Sequence, residues 1–177
     1  MRRAFLRLAA AGALLLAALP APAAGGWEDF FVAFLGDLRA EATEARRSGK
    51  AGVLLMFHFE ECPYCAKMKR EVLSRPEVQR YFRERFASVA IDVRGAQEVT
   101  GFDGRSLPEK EFARSLGLRA SPTFHFHSLD GALIAEHRGA IYDPAEFILL
   151  GEYVASGAHR SGSFASYKQS RRNKQGS

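Results

Sequence analysis

Apolar positions along the chain recur with two spacings, and together they predict an α/β domain. A continuous apolar run at 53–59 is typical of a strand buried on both faces. Val89, Ile91 and Val93 occupy every second position, as in a second strand. Asp130-Gly131 is a hairpin turn signal between two further apolar segments. The strands expected from these patterns are 53–59, 89–93, 123–127 and 132–138.

Between these strands, apolar residues recur at helical spacing. A first helix, with an aromatic stripe from Trp27 to Leu38, fades into 46–49, and a last helix is capped by Asp143-Pro144 and ends at Gly157. Ser106 and Glu109 have the spacing of a capping box that opens a helix through Leu116. The expected helices are 27–46, 62–73, 76–86, 107–116 and 144–156.

The segment 94–106 reads as an irregular loop with glycine turn signals. It is longer than a compact domain requires, which suggests a role in partner recognition.

The stretch whose side chains could carry out a reaction is Cys62-Pro63-Tyr64-Cys65, where the apolar strand leads into a helix. The helix dipole and the unpaired N–H groups of a first turn favour a thiolate, and Pro63 suits that turn. We therefore expect Cys62 to be the more exposed, attacking thiol and Cys65 to be the more buried, resolving thiol. This arrangement is typical of thiol–disulfide exchange through a mixed disulfide.

Other uses of the two cysteines remain open. Half of a structural zinc site is disfavoured because the sequence has no second pair, and a purely structural disulfide closing four residues would constrain the unfolded chain little. The alternative function is a metallochaperone-like module, in which copper or zinc binds Cys62, Cys65 and the histidines His58, His125 and His127. We expect no metal in the predicted site.

The two ends of the chain differ from its middle. Residues 1–24 have three arginines, an apolar stretch and the small-residue sequence Ala21-Pro22-Ala23, as in an export signal. General secretion is favoured over the twin-arginine route, and we expect a periplasmic protein whose mature domain spans 25–157. The basic segment 158–177 is expected to be partly or wholly disordered in isolation.

The formal charge of +5 comes from these ends. The signal carries three basic side chains and the tail carries five, so the domain between them has 17 basic against 20 acidic side chains. This balance predicts no nucleic-acid partner, and we expect a monomer.

The order of elements over about 27–156 resembles the thioredoxin fold, a central mixed sheet flanked by helices, here with an extra N-terminal helix. The resemblance implies that Pro122 follows a cis peptide bond and faces the dithiol. It also implies that the backbone of Ser121 pairs with an extended substrate segment beside Pro63 and Tyr64. The only cofactor implied is the redox-active disulfide between Cys62 and Cys65.

Within that superfamily the chain resembles the periplasmic SoxW-like thioredoxins of the sulfur-oxidation system. This resemblance implies an exported reductase of protein disulfides, recharged by a membrane thiol electron donor and acting on a cysteine-bearing sulfur-carrier protein. The matching stretches are 62–68, 92–95, 98–104, 121–124 and 163–167.

Two positions depart from the usual thioredoxin pattern. Glu61 replaces a tryptophan before the first cysteine, and Met56 replaces a buried acid that helps to move the proton of the resolving thiol. Proton transfer at Cys65 must then use water or Glu60, Glu61 or His58. The two carboxylates beside Cys62 are expected to oppose its ionisation by like-charge repulsion.

Overall fold

The computed structural model of the chain describes residues 25–175. The strands in this range are β1 Gly52–His58, β2 Phe86–Asp92, β3 Glu98–Thr100, β4 Ser106–Pro108, β5 Thr123–His127 and β6 Leu133–Arg138. The α-helices are α1 Leu38–Arg47, α2 Pro63–Met68, α3 Pro76–Arg85, α4 Glu109–Ser115, α5 Pro144–Ala155 and α6 Phe164–Gln175. A π-helical segment at Lys69–Leu73 extends α2, and short 3-10 turns lie at Trp27–Phe30 and Ala158–Arg160.

Four strands form a mixed sheet in the order β2-β1-β5-β6. The central strand β1 runs parallel to β2, with Leu55 opposite Val89, and antiparallel to β5, with Leu55 opposite His125. The hairpin of β5 and β6 completes the sheet through an antiparallel ladder. The predicted fold, a mixed sheet flanked by helices with an N-terminal helical region, is confirmed.

Helices cover both faces of this sheet, which explains why β1 is a continuous apolar run. Leu54 and Met56 lie in one core cluster, which includes residues of α2, α3 and α5. Leu55 and Phe57 lie in a second cluster, with residues of α1 and α4. Each of these four side chains is fully buried, and each burial contributes about 1.5–3 kcal/mol.

The N-terminal helical region consists of two pieces rather than the single helix that the aromatic stripe predicted. After the turn at Trp27–Phe30 the backbone is extended, and the N–H of Val32 donates to the carbonyl of Ser88 at 2.8 Å. Gly36 has φ 93°, a left-handed conformation that interrupts a helix, and Asp37 then caps α1 by accepting from the N–H of Arg39. Leu35, counted in the predicted apolar stripe, is 94% exposed.

The segment expected to be an irregular loop contains the small antiparallel ladder of β3 and β4. The predicted capping box is wrong, because Ser106 is in β4 and its hydroxyl hydrogen-bonds that of Thr100 at 2.7 Å. The Glu109 carboxylate instead accepts from the N–H of Asp92 at 2.9 Å. Burial of Glu109 raises the pKa of its carboxyl group. Glu109 therefore fixes the end of β2, not the start of its own helix.

The basic tail also differs from the prediction, because residues 164–175 form helix α6 instead of a disordered segment. Lys168 pairs with Glu146 at 2.7 Å, and the ring of Tyr167 lies 5.6 Å from that of Tyr153 on α5. These contacts explain the order, since a polar helix alone would gain little by folding.

The predicted export signal at 1–24 lies outside the described residues, and the predicted domain limits at 25–157 stay a prediction. Within the range 25–175, no helix combines the length and the apolar character that crossing a membrane requires.

Candidate active site

The two cysteines lie where β1 leads into α2, as the sequence predicted. Cys62 is the N-cap residue of α2, Pro63 is its first residue, and Cys65 is its third. Cys62 and Cys65 form a disulfide with their Cα atoms 5.2 Å apart. The N–H of Cys65 lies 3.1 Å from the Cys62 sulfur and points to it. A negative charge on that sulfur would receive the same hydrogen bond.

Both cysteines are only 1% exposed, so the prediction that Cys62 is the more exposed of the two is wrong for the disulfide form. The Cys62 sulfur lies 3.7 Å from the carbonyl oxygen of Ser121, which covers it from the β5 side. Both cysteines also belong to the core cluster that contains Met68 and Phe124. The tertiary packing of the Ser121 segment, which a local pattern does not encode, buries the Cys62 sulfur.

The peptide bond between Ser121 and Pro122 is cis, as the thioredoxin resemblance implied. Beside it lies a cleft of about 370 Å³, which we call the aromatic cleft. Its lining residues are Tyr64, Ser121, Pro122, Gly139, Ala140 and Tyr142. Three of the four residues expected to contact substrate therefore line one cleft, whereas Pro63 is exposed beside it. Substrate binding by these residues stays a prediction.

Sequence reasoning missed one wall of the aromatic cleft. The N–H of Gly139 donates to the carbonyl of Pro122 at 2.8 Å, and the Tyr142 ring follows three residues later. The ammonium of Lys67 on α2 lies 4.3 Å from the centre of the Tyr142 ring. The antiparallel pairing of β5 with β6 could have revealed this wall, because it places the residue after β6 next to the residue before β5.

The two carboxylates before Cys62 are exposed. Glu61 forms an ion pair with Arg94 at 2.9 Å, and the guanidinium of Arg94 stacks 3.9 Å from the centre of the Phe59 ring. The expected repulsion of a Cys62 thiolate by Glu61 is therefore opposed by a neighbouring cation.

The position of the usual buried acid holds Met56, which is fully buried in the apolar core. Among the other candidates for proton transfer, His58 is half-buried, and its Nδ1 lies 3.2 Å from the ammonium of Lys69. Burial, with the nearby charge of Lys69, lowers the pKa of His58 to about 4. His58 is therefore neutral near pH 7. It borders a cavity of about 510 Å³ that Glu60 and Lys69 also line.

The structure does not assemble the alternative metal site. His125 pairs with Leu55 in the sheet, and its ring lies 5.0 Å from that of Phe57, on the face covered by α1 and α4. His127 lies on the same face, whereas both cysteines belong to the cluster on the other face. Across residues 25–175, no group of three or more His, Cys, Asp or Glu side chains is placed to hold a metal ion.

The fold of the chain is similar to that of solved thioredoxin-fold proteins. A thioredoxin-fold protein from Helicobacter pylori is 18% identical, with a TM-score of 0.67 over 85% of this chain and 96% of that chain. DsbH oxidoreductase is also 18% identical, with a TM-score of 0.53 over 82% of this chain and 95% of its own.

A thioredoxin from Thermus thermophilus is 30% identical, with a TM-score of 0.49, over 70% of this chain and 85% of that chain. Among curated proteins, none matches the sequence significantly. The family model described as a thioredoxin-like domain matches residues 38–155, which include the dithiol, the cis-proline and the whole central sheet. The chain therefore belongs to the thioredoxin-like domain family, and its cysteine pair is consistent with a thiol–disulfide oxidoreductase.

Proposed function

We propose that this chain is a protein-disulfide reductase in which Cys62 attacks and Cys65 resolves. The observation that carries the proposal is the position of the Cys62 sulfur, 3.7 Å from the Ser121 carbonyl and next to the aromatic cleft. An extended partner segment that pairs with the backbone at Ser121 would bring its own cysteine sulfur to Cys62.

In the reaction, the thiolate of reduced Cys62 attacks one sulfur of the partner disulfide. A mixed disulfide forms, and the other partner sulfur leaves as a thiolate that takes up a proton. Cys65 then loses its proton, its thiolate attacks the Cys62 sulfur, and the second partner sulfur leaves as a thiolate that takes up a proton. Two electrons have passed to the partner, and the disulfide between Cys62 and Cys65 is restored. The N–H of Cys65, at 3.1 Å, stabilises the Cys62 thiolate.

We further propose that the protein acts after export, in the periplasm, within a sulfur-oxidation pathway. The arginine-rich apolar segment at 1–24 and the SoxW-like stretches, above all 98–104, support this setting. There a membrane thiol donor would return two electrons to the disulfide after each turnover, and a cysteine-bearing carrier protein would be the substrate. The protein would act as a monomer.

Two cysteine variants test the assignment of roles. Cys62→Ser should abolish reduction of a protein disulfide, because no thiolate remains to attack. Cys65→Ser should accumulate mixed disulfides between Cys62 and its partners, because nothing resolves them. Non-reducing gels and intact mass measurement distinguish the two variants. Wild-type turnover by Cys62→Ser would show that the assignment is wrong.

The direction of electron flow is tested by the reduction potential of the Cys62–Cys65 pair, measured in dithiol buffers. A value near about −270 mV, as in thioredoxin, supports a reductase. A value near about −120 mV, as in the strongest periplasmic oxidant, would make the protein a disulfide donor instead.

A further inference from the structure

A second cleft, of about 350 Å³, also reaches Ser121. Strand order places it relative to the aromatic cleft. Val93 and Arg94 follow β2 at one edge of the sheet, whereas Gly139 follows β6 at the other edge. Ser121 precedes β5, which lies between those edges. A segment that crosses Ser121 therefore has the aromatic cleft on one side and this second cleft on the other.

The second cleft is lined by cations and by partly buried apolar side chains, among them Phe59 and Leu118. We call it the cationic cleft. Its charged lining residues are Arg94, Lys110, Arg114 and Arg119, and all four are exposed. No carboxylate is among the residues that line it.

Only two of these cations have an acidic partner in the described part of the chain. Arg94 pairs with Glu61 at 2.9 Å, and Arg114 pairs with Glu111 at 2.7 Å. Lys110 and Arg119 form no ion pair with any residue between 25 and 175. The cationic cleft thus keeps an excess of positive charge, although the domain as a whole is not basic.

We propose that the cationic cleft binds an acidic segment next to the reactive cysteine of the partner protein. This inference rests on the proposed function, since it specifies the class of disulfide substrate that the site accepts. The partner presents carboxylates on one flank of its cysteine and apolar or uncharged residues on the flank that meets the aromatic cleft. Lys110 and Arg119 supply the charge, while Phe59 and Leu118 contact the aliphatic parts of the same segment.

The expected preference is modest, because the cations are exposed. Exposed ion pairs are individually weak, so two new pairs should favour an acidic over a neutral segment about fivefold. Salt should remove the preference. Raising the ionic strength from about 0.01 M to about 1 M shortens the Debye length from about 30 Å to about 3 Å.

The test separates docking from redox chemistry. Fluorescent peptides of one length have serine in place of the reactive cysteine. Each carries Glu, Gln or Lys on one flank, which lies either before or after the serine. Fluorescence anisotropy with the full protein measures their binding. The variant Lys110→Gln/Arg119→Gln is compared with the control Arg80→Gln/Arg172→Gln, which removes the same charge from α3 and α6.

The proposal expects the Glu peptide in one of the two arrangements to bind about fivefold more tightly than the Gln peptide at low salt. This ratio should fall to about one in Lys110→Gln/Arg119→Gln and persist in the control. The proposal would be overturned if the Glu and Gln peptides bound equally, or if the two Glu arrangements bound equally. It would also be overturned if both double variants lost the preference to the same extent. Failure of the proposed function would be distinguishable from this. In that case Cys65→Ser would trap no partner protein, although the Glu peptide would still bind.

Discussion

The buried histidine His127 provides a quantitative test of the fold, through the pH dependence of its stability. His127 is 6% exposed, its Nδ1 lies 2.9 Å from the carbonyl oxygen of Gly131, and its ring packs 4.6 Å from that of Phe102. Its Nε2 is buried and has no hydrogen-bond partner among the described residues. A proton on Nε2 would therefore place a charged donor in the core without an acceptor.

Burial lowers the pKa of His127 from 6.5 to about 4, and the nearby His125 adds to this effect. In the unfolded chain the imidazole takes up a proton near pH 6.5, whereas in the folded chain it stays neutral until the pH falls to about 4. Its contribution to stability is therefore complete above the unfolded pKa and is lost as the pH falls between these two values. The loss from this one group reaches about 2.5 kcal/mol near pH 4.5.

The variant His127→Gln keeps a side-chain donor for the Gly131 carbonyl but has no titrating group in this range. Urea unfolding at about pH 7 and about pH 4.5 gives the free energy of unfolding of both proteins. For each protein, the free energy of unfolding at about pH 4.5 is compared with its own value at about pH 7. This comparison removes the packing cost of the substitution, which is the same at both pH values. We expect the wild type to lose about 2.5 kcal/mol more than His127→Gln on acidification. An equal loss in the two proteins would refute the claim that folding keeps His127 neutral.

Two further substitutions test the cleft and the packing of α5. Tyr142→Ala removes one wall of the aromatic cleft, so KM for a peptide disulfide should rise by about tenfold. The rate of alkylation of reduced Cys62 is the control measurement. Gly151→Ala should lower the free energy of unfolding by about 1–3 kcal/mol, because the added Cβ would lie 2.6 Å from Tyr81 and 3.0 Å from Phe82. An unchanged urea midpoint in Gly151→Ala would mean that these rings move aside without cost.

The features that the sequence predicted well are local. A run buried on both faces and a Cys-x-x-Cys at the strand–helix junction depend on neighbouring residues, and β1 and α2 occur where they were expected. The cis bond before Pro122 came from the family resemblance rather than from a physical argument, since an isolated X–Pro sequence prefers trans.

The features that the sequence missed depend on distant contacts. The spacing of Ser106 and Glu109 fits a capping box, but pairing with β3 makes Ser106 part of a strand. The composition of the tail predicted disorder, but docking on α5 orders it. The burial of Cys62 likewise depends on Ser121, which is 59 residues away in the chain. Patterns of neighbouring residues do not contain this information.

The central sheet separates two buried histidines from the sulfur chemistry. His125 and His127 lie on the face covered by α1 and α4, while the disulfide lies in the cluster on the opposite face. The backbone of the sheet lies between these two histidines and the disulfide. We therefore expect His127→Gln to change the pH dependence of stability without shifting the reduction potential of the Cys62–Cys65 pair, which redox titration of this variant would check.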